Sequence, residues 1–242
     1  MAIVTFQRYE RKFLVTKAQY ARMLPQILLH MTQDAYCISG KGYKICNIYY
    51  DTEANDVIRR SISKPRYKEK LRLRSYDVPK NEDAIVYLEI KKKIEKMVTK
   101  RRIALTVAEA ERFIRDRVRP VREDYLSKQI IGEIEAFLFC YDVAPKTYIS
   151  YERMAFFDSE NEQIRLTFDD HIKTRRDHVS FLAGDDGELL LPEGMLLMEM
   201  KVPDAIPLWL ARILSEEGIY QLGFSKYGKA YEQYVRSRIE LE

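Results

Sequence analysis

Period-two alternation, repeated in segment after segment with Arg or Lys on the polar side, is the feature that most restricts how this chain can fold. Side chains two apart on a strand share a face. In residues 67–76 (YKEKLRLRSY), Leu71 and Leu73 face one way and Arg72 and Arg74 the other. In 84–93 (AIVYLEIKKK), Leu88 and Ile90 oppose Glu89 and Lys91. Near the start, Glu10 and Lys12 share a face with Arg8, and in 96–105 Lys100 and Arg102 share one with Val98. In 163–169, Arg165 aligns with Thr167 and Asp169 against Leu166 and Phe168. In 195–202, Glu199 and Lys201 oppose Met198, Met200 and Val202; in 147–157, Arg153 aligns with Tyr151 and Ala155. Any antiparallel sheet with one wet face alternates in this way. A solvated face normally mixes Ser, Thr, Gln, Glu and Lys, however. Here Arg or Lys holds the centre and Glu is sparse. The planar fork of Arg matches phosphate oxygens bidentately, whereas Lys acts as a point charge.

With strands also at 3–15 and 43–50, the pattern predicts about eight strands, enough to close a barrel whose interior holds side chains or one ligand. Helices are interleaved. Thr16 with Gln19, and Thr106 with Glu109, are capping boxes; the first opens a helix that Pro25 is expected to kink, the second a helix over 107–117. A short helix falls in DTEANDVIRRS, and others over 123–141, 204–217 and 225–240. VPKNED reads as a hairpin turn and 184–187 as a Gly/Asp turn. The expectation is an α+β fold: a closed antiparallel eight-stranded β tunnel with helices packed outside. No linker or repeat divides it, so residues 1–242 read as one domain that includes the helices over 204–240.

If the basic faces point inward, cations crowd together. Two unit charges ~4 Å apart cost about 4 kcal/mol at an effective dielectric near 20. Such an array calls for water or a slim polyanion, and linear triphosphate or polyphosphate fits. Glu10, Glu89 and Glu199 could then hold Mg²⁺ or Mn²⁺ bridging phosphate oxygens. The formal charge of +4 is too mild for an obligate nucleic-acid binder. Three Cys without CxxC spacing and three His without HExxH exclude a disulfide framework and a zinc knuckle, and imply reduced thiols in the cytoplasm. No apolar run approaches the ~18 residues that span a bilayer.

The ExK of Glu10–Lys12, the RLR of Arg72–Arg74, the ExK of Glu89–Lys91, the RMAF after Glu152, the RLTFD of Arg165–Asp169, the MEMK around Glu199 and the late FSKYGKAY together resemble the VTC domain. This is the polyphosphate polymerase domain of the vacuolar transporter chaperone complex, within the CYTH-like triphosphate tunnel metalloenzymes. The resemblance spans about residues 7 to 235. It implies a metal-dependent polymerase that moves the γ-phosphate of a nucleoside triphosphate onto polyphosphate. Lys12, Arg72, Arg74, Lys91, Arg153, Arg165 and Lys226 would be the catalytic phosphate-gripping set. Lys100 joins them as substrate-binding, as do Arg102 on strand parity, and Ser225 and Lys229 at the start of the last helix. Glu199 would be the principal metal ligand, with Glu10 and Glu89 as further candidates. Related triphosphatases carry ExExK in the first strand; Arg8 replaces its first Glu, which argues against the hydrolase arrangement. Hydrolysis of tripolyphosphate or nucleoside triphosphate in the same tunnel is the alternative, and a non-catalytic polyphosphate-binding module another. The implied partners are nucleoside triphosphate and polyphosphate or pyrophosphate, with no nucleic acid and with a membrane protein as a potential anchor. The chain resembles a catalytic module standing alone, as in prokaryotic relatives.

Several features read as structural. The Tyr residues suit strands. Arg59–Arg60 and Arg175–Arg176 read as loop surface charges, Lys92 as solvated and His178 as a loop residue. Trp209 with Leu208, Leu210 and Ile213 forms a packing stripe. Removing an inward charge, as in Arg72→Ala or Arg165→Ala, is expected to abolish phosphate binding and leave the fold intact or more stable.

Overall fold

Thr16 and Thr106 open helices by the same device. The Thr16 hydroxyl accepts from the Gln19 backbone N–H at 3.1 Å, and the Gln19 side chain accepts from the Thr16 N–H at 2.9 Å. Thr106 and Glu109 repeat this at 3.1 and 3.0 Å. Each box satisfies backbone donors that the first helical turn leaves unpaired. The computed structural model describes residues 9–95, 97–161 and 163–240. Along the chain run β1 (Tyr9–Thr16), α1 (Lys17–His30), β2 (Met31–Gln33), β3 (Tyr43–Asp51), α2 (Asp56–Ile62), β4 (Tyr67–Ser75), β5 (Ile85–Ile94) and β6 (Met97–Thr106). There follow α3 (Val107–Asp116), α4 (Tyr125–Cys140), β7 (Ala144–Asp158), β8 (Arg165–Arg175), β9 (Glu188–Leu189), β10 (Met195–Val202), α5 (Leu208–Glu216), β11 (Gln221–Leu222) and α6 (Lys226–Ile239).

The architecture is α+β, with a large antiparallel sheet and, among the described residues, six α-helices. The chain divides into two units, residues 1–44 with 151–172 and 191–224, and residues 45–150 with 173–190 and 225–242. In the first, strands order β11-β1-β10-β8-β7. Its core joins Phe13, Val15, Leu166, Phe168, Met198 and Met200 to Met23 and Ile27 of α1 and Leu210 and Ile213 of α5. In the second, the order is β7-β3-β4-β5-β6. Leu71, Leu73, Leu88, Ile90 and Ile103 pack there with Phe113 of α3 and Ile131, Ile134 and Phe137 of α4. Each sheet face that a helix covers is the apolar face of the alternation, so both polar faces lie on the other side.

Three strands escape the period-two reading, namely β2, β9 and β11, because two or three residues cannot display it. Among the described residues no pairing joins β11 to β6, the two ends of the strand order, so closure into a tunnel is not made by hydrogen bonds. Helix α5 starts at Leu208 rather than 204, with Pro207 at its N-cap; the ring of Pro207 disfavours helical geometry in the residue before it. Arg8, residues 3–7 of the expected first strand and Lys96 lie outside the described residues.

Candidate functional site

Strand pairing in the second unit assembles a basic face. On β4 the side opposite the core carries Lys68, Lys70, Arg72 and Arg74; on β5, Tyr87, Glu89, Lys91 and Lys93; on β6, Lys100 and Arg102. The register sets Lys68 opposite Lys93, Lys70 opposite Lys91, and Arg72 opposite Glu89. It sets Glu89 opposite Arg102 and Lys91 opposite Lys100. Eight cations therefore share this side of β4, β5 and β6 with one carboxylate. Glu89 is 1% exposed. It accepts from Arg72 Nε at 2.7 Å and from Lys100 Nζ at 3.0 Å. Burial alone would raise its pKa; the charges of Arg72, Arg74 and Lys100 outweigh that and hold the carboxyl down at about 2. Lys100 responds in the opposite sense. Its side chain keeps 41% of its surface, yet partial desolvation, with Arg72 and Arg74 against Glu89, lowers its pKa to about 8. Desolvation, then Lys93, Lys91 and Lys64, likewise lowers the pKa of Lys68.

Neutral groups add to the hold on the arginines of this face. Arg74 is buried and donates from Nε to Asn47 Oδ1 at 2.9 Å, and Asn47 donates to the Ile149 carbonyl at 3.1 Å. Arg72 also donates to the Tyr49 hydroxyl at 3.3 Å. Tyr49 stacks on Tyr227 of α6, with centroids 4.4 Å apart and planes 14° apart, and Lys70 Nζ lies 5.6 Å from the Tyr227 ring. The start of α6 is thereby set beside the basic face. Ser225 is its N-cap, accepting from the Gly228 N–H at 3.2 Å. Lys226 is its first residue, and Lys229 Nζ sits 3.7 Å from Glu232.

The polar face of the first unit is mixed. The register sets Lys12 opposite Glu199 and Glu10 opposite Lys201. It sets Glu199 opposite Thr167 and Lys201 opposite Arg165. Lys12 Nζ lies 2.8 Å from Glu10 Oε1 and 3.8 Å from Glu199 Oε2, and donates to the Phe224 carbonyl at 3.0 Å. Lys201 Nζ lies 2.8 Å from Glu199 Oε1. Arg153 forms a two-pronged pair with Asp169, Nε to Oδ1 at 2.7 Å and Nη2 to Oδ2 at 2.8 Å, both residues buried. Burial opposes the guanidinium charge, but Asp169, Tyr151 and Glu199 outweigh it and hold the Arg153 pKa well above its usual value. A Cβ on Gly42 would lie 2.8 Å from the Arg153 carbonyl oxygen, so only glycine allows the backbone this close. Arg165 stacks over Phe157 at 4.8 Å and donates to the Tyr43 hydroxyl at 3.1 Å.

The expected site residues thus fall into two groups. Lys12, Arg153, Arg165, Glu10 and Glu199 lie on the mixed face. Arg72, Arg74, Lys91, Lys100, Arg102 and Glu89 lie on the basic face, with Ser225, Lys226 and Lys229 at the start of α6. Among the described residues no three or more His, Cys, Asp or Glu side chains gather as a metal centre. Glu10 and Glu199 nonetheless suit a hard cation. They are oxygen donors on one face, sharing the ammonium of Lys12, and Mg²⁺ or Mn²⁺ commonly uses one or two carboxylates together with substrate phosphates. Glu89 suits one less, since its side chain is 1% exposed, against 33% for Glu10 and 10% for Glu199.

Lys68, Lys70, Lys201 and Asp169 were legible by parity but not singled out. Other expectations are corrected. Lys92 is half-buried on the helix side, 3.1 Å from Glu133 of α4. Arg175 donates to the carbonyls of Asp186, Ser180 and Gly184 and lies over Tyr148 at 4.5 Å. Arg176 lies over Tyr234 at 4.1 Å. These two arginines fasten loops and are not free surface charges.

An α+β protein with a large antiparallel sheet and Arg- and Lys-rich polar faces is the class defined so far. The VTC domain family matches residues 7–235, and the chain belongs to that family. Among solved structures it is similar to a "putative adenylate cyclase" from Bacillus halodurans, at 16% identity and a TM-score of 0.51, covering 89% of this chain and 92% of that one. A protein from Vibrio parahaemolyticus described in the same words is similar at 12% identity and a TM-score of 0.47, covering 93% and 97%. None of the curated proteins compared matches this chain. Among the described residues no helix is long and apolar enough to cross a membrane.

Proposed function

We propose that this chain is a metal-dependent polyphosphate polymerase, acting as one domain over residues 1–242 with its strands closed into an eight-stranded tunnel. The observation that carries this reading is the basic face. Eight cations share that side of β4, β5 and β6 with one carboxylate, and the mutual repulsion in such an array favours a polyanion. Arg72, Arg74, Lys91, Lys100 and Arg102 grip phosphate oxygens, as do Lys226 and the α6 N-terminus at Ser225 and Lys229. Lys12, Arg153 and Arg165 of the mixed face are further phosphate-binding candidates. A divalent cation, Mn²⁺ or Mg²⁺, held at Glu199 with Glu10 beside it supplies neutralisation of charge on phosphate oxygens.

The reaction is in-line transfer. A terminal oxygen of the growing chain attacks the γ-phosphorus, the β–γ bridge breaks, and nucleoside diphosphate leaves. Such chemistry rests on positioning and charge stabilisation and needs no protein nucleophile. The compartment that fits is the cytoplasm, where Cys37, Cys46 and Cys140 stay free thiols. Incubation with ATP and Mn²⁺, followed by a gel for long polyphosphate, tests the reading. Long chains are expected. Orthophosphate alone would make the chain a tripolyphosphatase or nucleoside triphosphatase, and tight polyphosphate binding without turnover would make it a binding module.

A further inference from the structure

At one end of the basic face the turn between β4 and β5 folds over an open cleft of about 610 Å³. Its walls include Tyr76, Val78, Pro79, Ile85 and Tyr87, with Asp77 at the turn. Aromatic and apolar side chains mix there with Ser75, Lys80 and Asn81, unlike the rows of Lys and Arg beside it. The two Tyr rings meet edge to face, with centroids 5.6 Å apart. Arg102 holds the pair together, its guanidinium 4.6 Å over the Tyr87 ring and Nη1 donating to the Tyr76 hydroxyl at 3.1 Å. Tyr76 is 42% exposed and Ile85 58% exposed, so a flat ligand can reach both.

The cleft is continuous with the phosphate-gripping rows. Tyr87 stands opposite Arg74 in the register; the next row on the same face is Arg72 with Glu89, and the next Lys70, Lys91 and Lys100. Rows of one face repeat every two residues, so the Lys91 row lies about 13 Å from the Tyr87 row. We propose that this cleft seats the base and ribose of the nucleoside triphosphate, with the phosphates running from Arg74 past Arg72 toward Lys91 and Lys100. This deepens the polymerase reading and rests on it. Nucleobases stack on Tyr rings and Arg planes with little sequence preference, because every base has a π-face. The cleft therefore takes purine and pyrimidine nucleotides alike, and the reacting γ-phosphate is the end farthest from it.

The test compares ATP with inorganic tripolyphosphate, which has no base, by calorimetry without metal on the full chain. Tyr76→Ala is expected to weaken ATP about 5- to 150-fold, the range that loss of one stacking ring brings, while tripolyphosphate moves less than about 2-fold. Tyr76→Phe keeps the ring and should hold ATP close to the unmodified value. Equal losses for both ligands, or no loss for ATP, overturn the nucleoside site. If tripolyphosphate itself fails to bind the unmodified chain, the polymerase reading falls and this one with it. Should Tyr76→Ala not fold, the unmodified chain decides with ATP against ribose 5-triphosphate: a clear preference for ATP supports the cleft, and equal affinities overturn it.

Discussion

On β4, β5 and β6 eight cations share a side with the single carboxylate of Glu89, whereas on β1, β7, β8 and β10 Lys12, Lys201, Arg153 and Arg165 meet Glu10, Glu199 and Asp169. Both faces come from the same alternation, and both place Arg or Lys at their centre. They differ in what the cations are for. On the mixed face each positive group has a close carboxylate or hydroxyl, and the charges help to hold the strands. On the basic face eight positive groups share a side with one carboxylate, so the local potential favours an anion. On the proposed reading the excess of one sign on the basic face supplies the larger share of phosphate contacts, and the carboxylates of the mixed face the metal site.

The strongest way to break this comparison is to remove one partner of the mixed face. Asp169→Asn leaves the buried guanidinium of Arg153 without its carboxylate. It should cost about 3–5 kcal/mol in denaturant unfolding, the usual range for a broken buried pair. Lys91→Ala, on the exposed part of the basic face, should leave stability within about 0.5 kcal/mol yet weaken tripolyphosphate. Comparable losses of stability for the two variants would erase the distinction.

Glu89 is the exception on its own face and gives the next largest effect. Its pKa of about 2 lies below the ordinary 4.5, so the folded state prefers the charged carboxylate. The stability this contributes is fully present above pH ~4.5 and is lost as pH falls toward ~2. The shift corresponds to about 3 kcal/mol at neutral pH. Glu89→Gln should therefore unfold at lower denaturant at pH 7 and lose the difference from the parent near pH 2, without losing tripolyphosphate affinity. Equal stability of variant and parent at pH 7 would show Glu89 to be a bystander.

Arg72 shows where sequence reasoning stops. Parity places it on the polar side, and from there its removal looks neutral or stabilising. The register sets it against Glu89, whose two oxygens need it and Lys100, so Arg72→Ala strands a buried carboxylate and lowers stability. Long strands with strict alternation, β4, β5, β6 and β10, were legible because one covered face forces period two on the residues. The capping boxes at Thr16 and Thr106 were legible because their signal is local. Three things were not. The two- and three-residue strands carry no period. Arg175 and Arg176 look like a loop charge pair until Tyr148 and Tyr234 are brought beneath them by distant segments. The division into one basic and one mixed face depends on which strands are neighbours, and Lys70 against Lys91 or Lys12 against Glu199 cannot be read along a single strand.

The metal assignment sharpens the comparison from the other face. If Glu199 and Glu10 are the cation-holding pair, Glu199→Gln should reduce Mn²⁺-dependent turnover by at least the ~10–100-fold that losing even an outer metal partner brings. Tripolyphosphate binding without metal should persist, because the basic face is untouched. Unchanged Mn²⁺ activation in the variant would move the metal elsewhere.

The smallest effect is the most specific to the basic face. The Lys100 pKa of about 8 lies below the ordinary 10.5, so between these values the unfolded chain binds more protons and folding stability rises with pH. On the proposed reading the same ammonium binds the anion, and its charge is lost as pH rises through about 8. A bound polyanion adds negative charge beside Lys100 and pulls its pKa back up, so binding near pH 8–9 must take up a proton. Tripolyphosphate affinity should therefore fall with pH across that window, and calorimetry in buffers of different ionisation heat should show the uptake. Lys100→Arg, whose charge does not titrate there, should flatten both. An unchanged pH slope in that variant would mean that the basic face holds its charge throughout, and that the crowding of Lys100 by Arg72 and Arg74 has no bearing on the ligand.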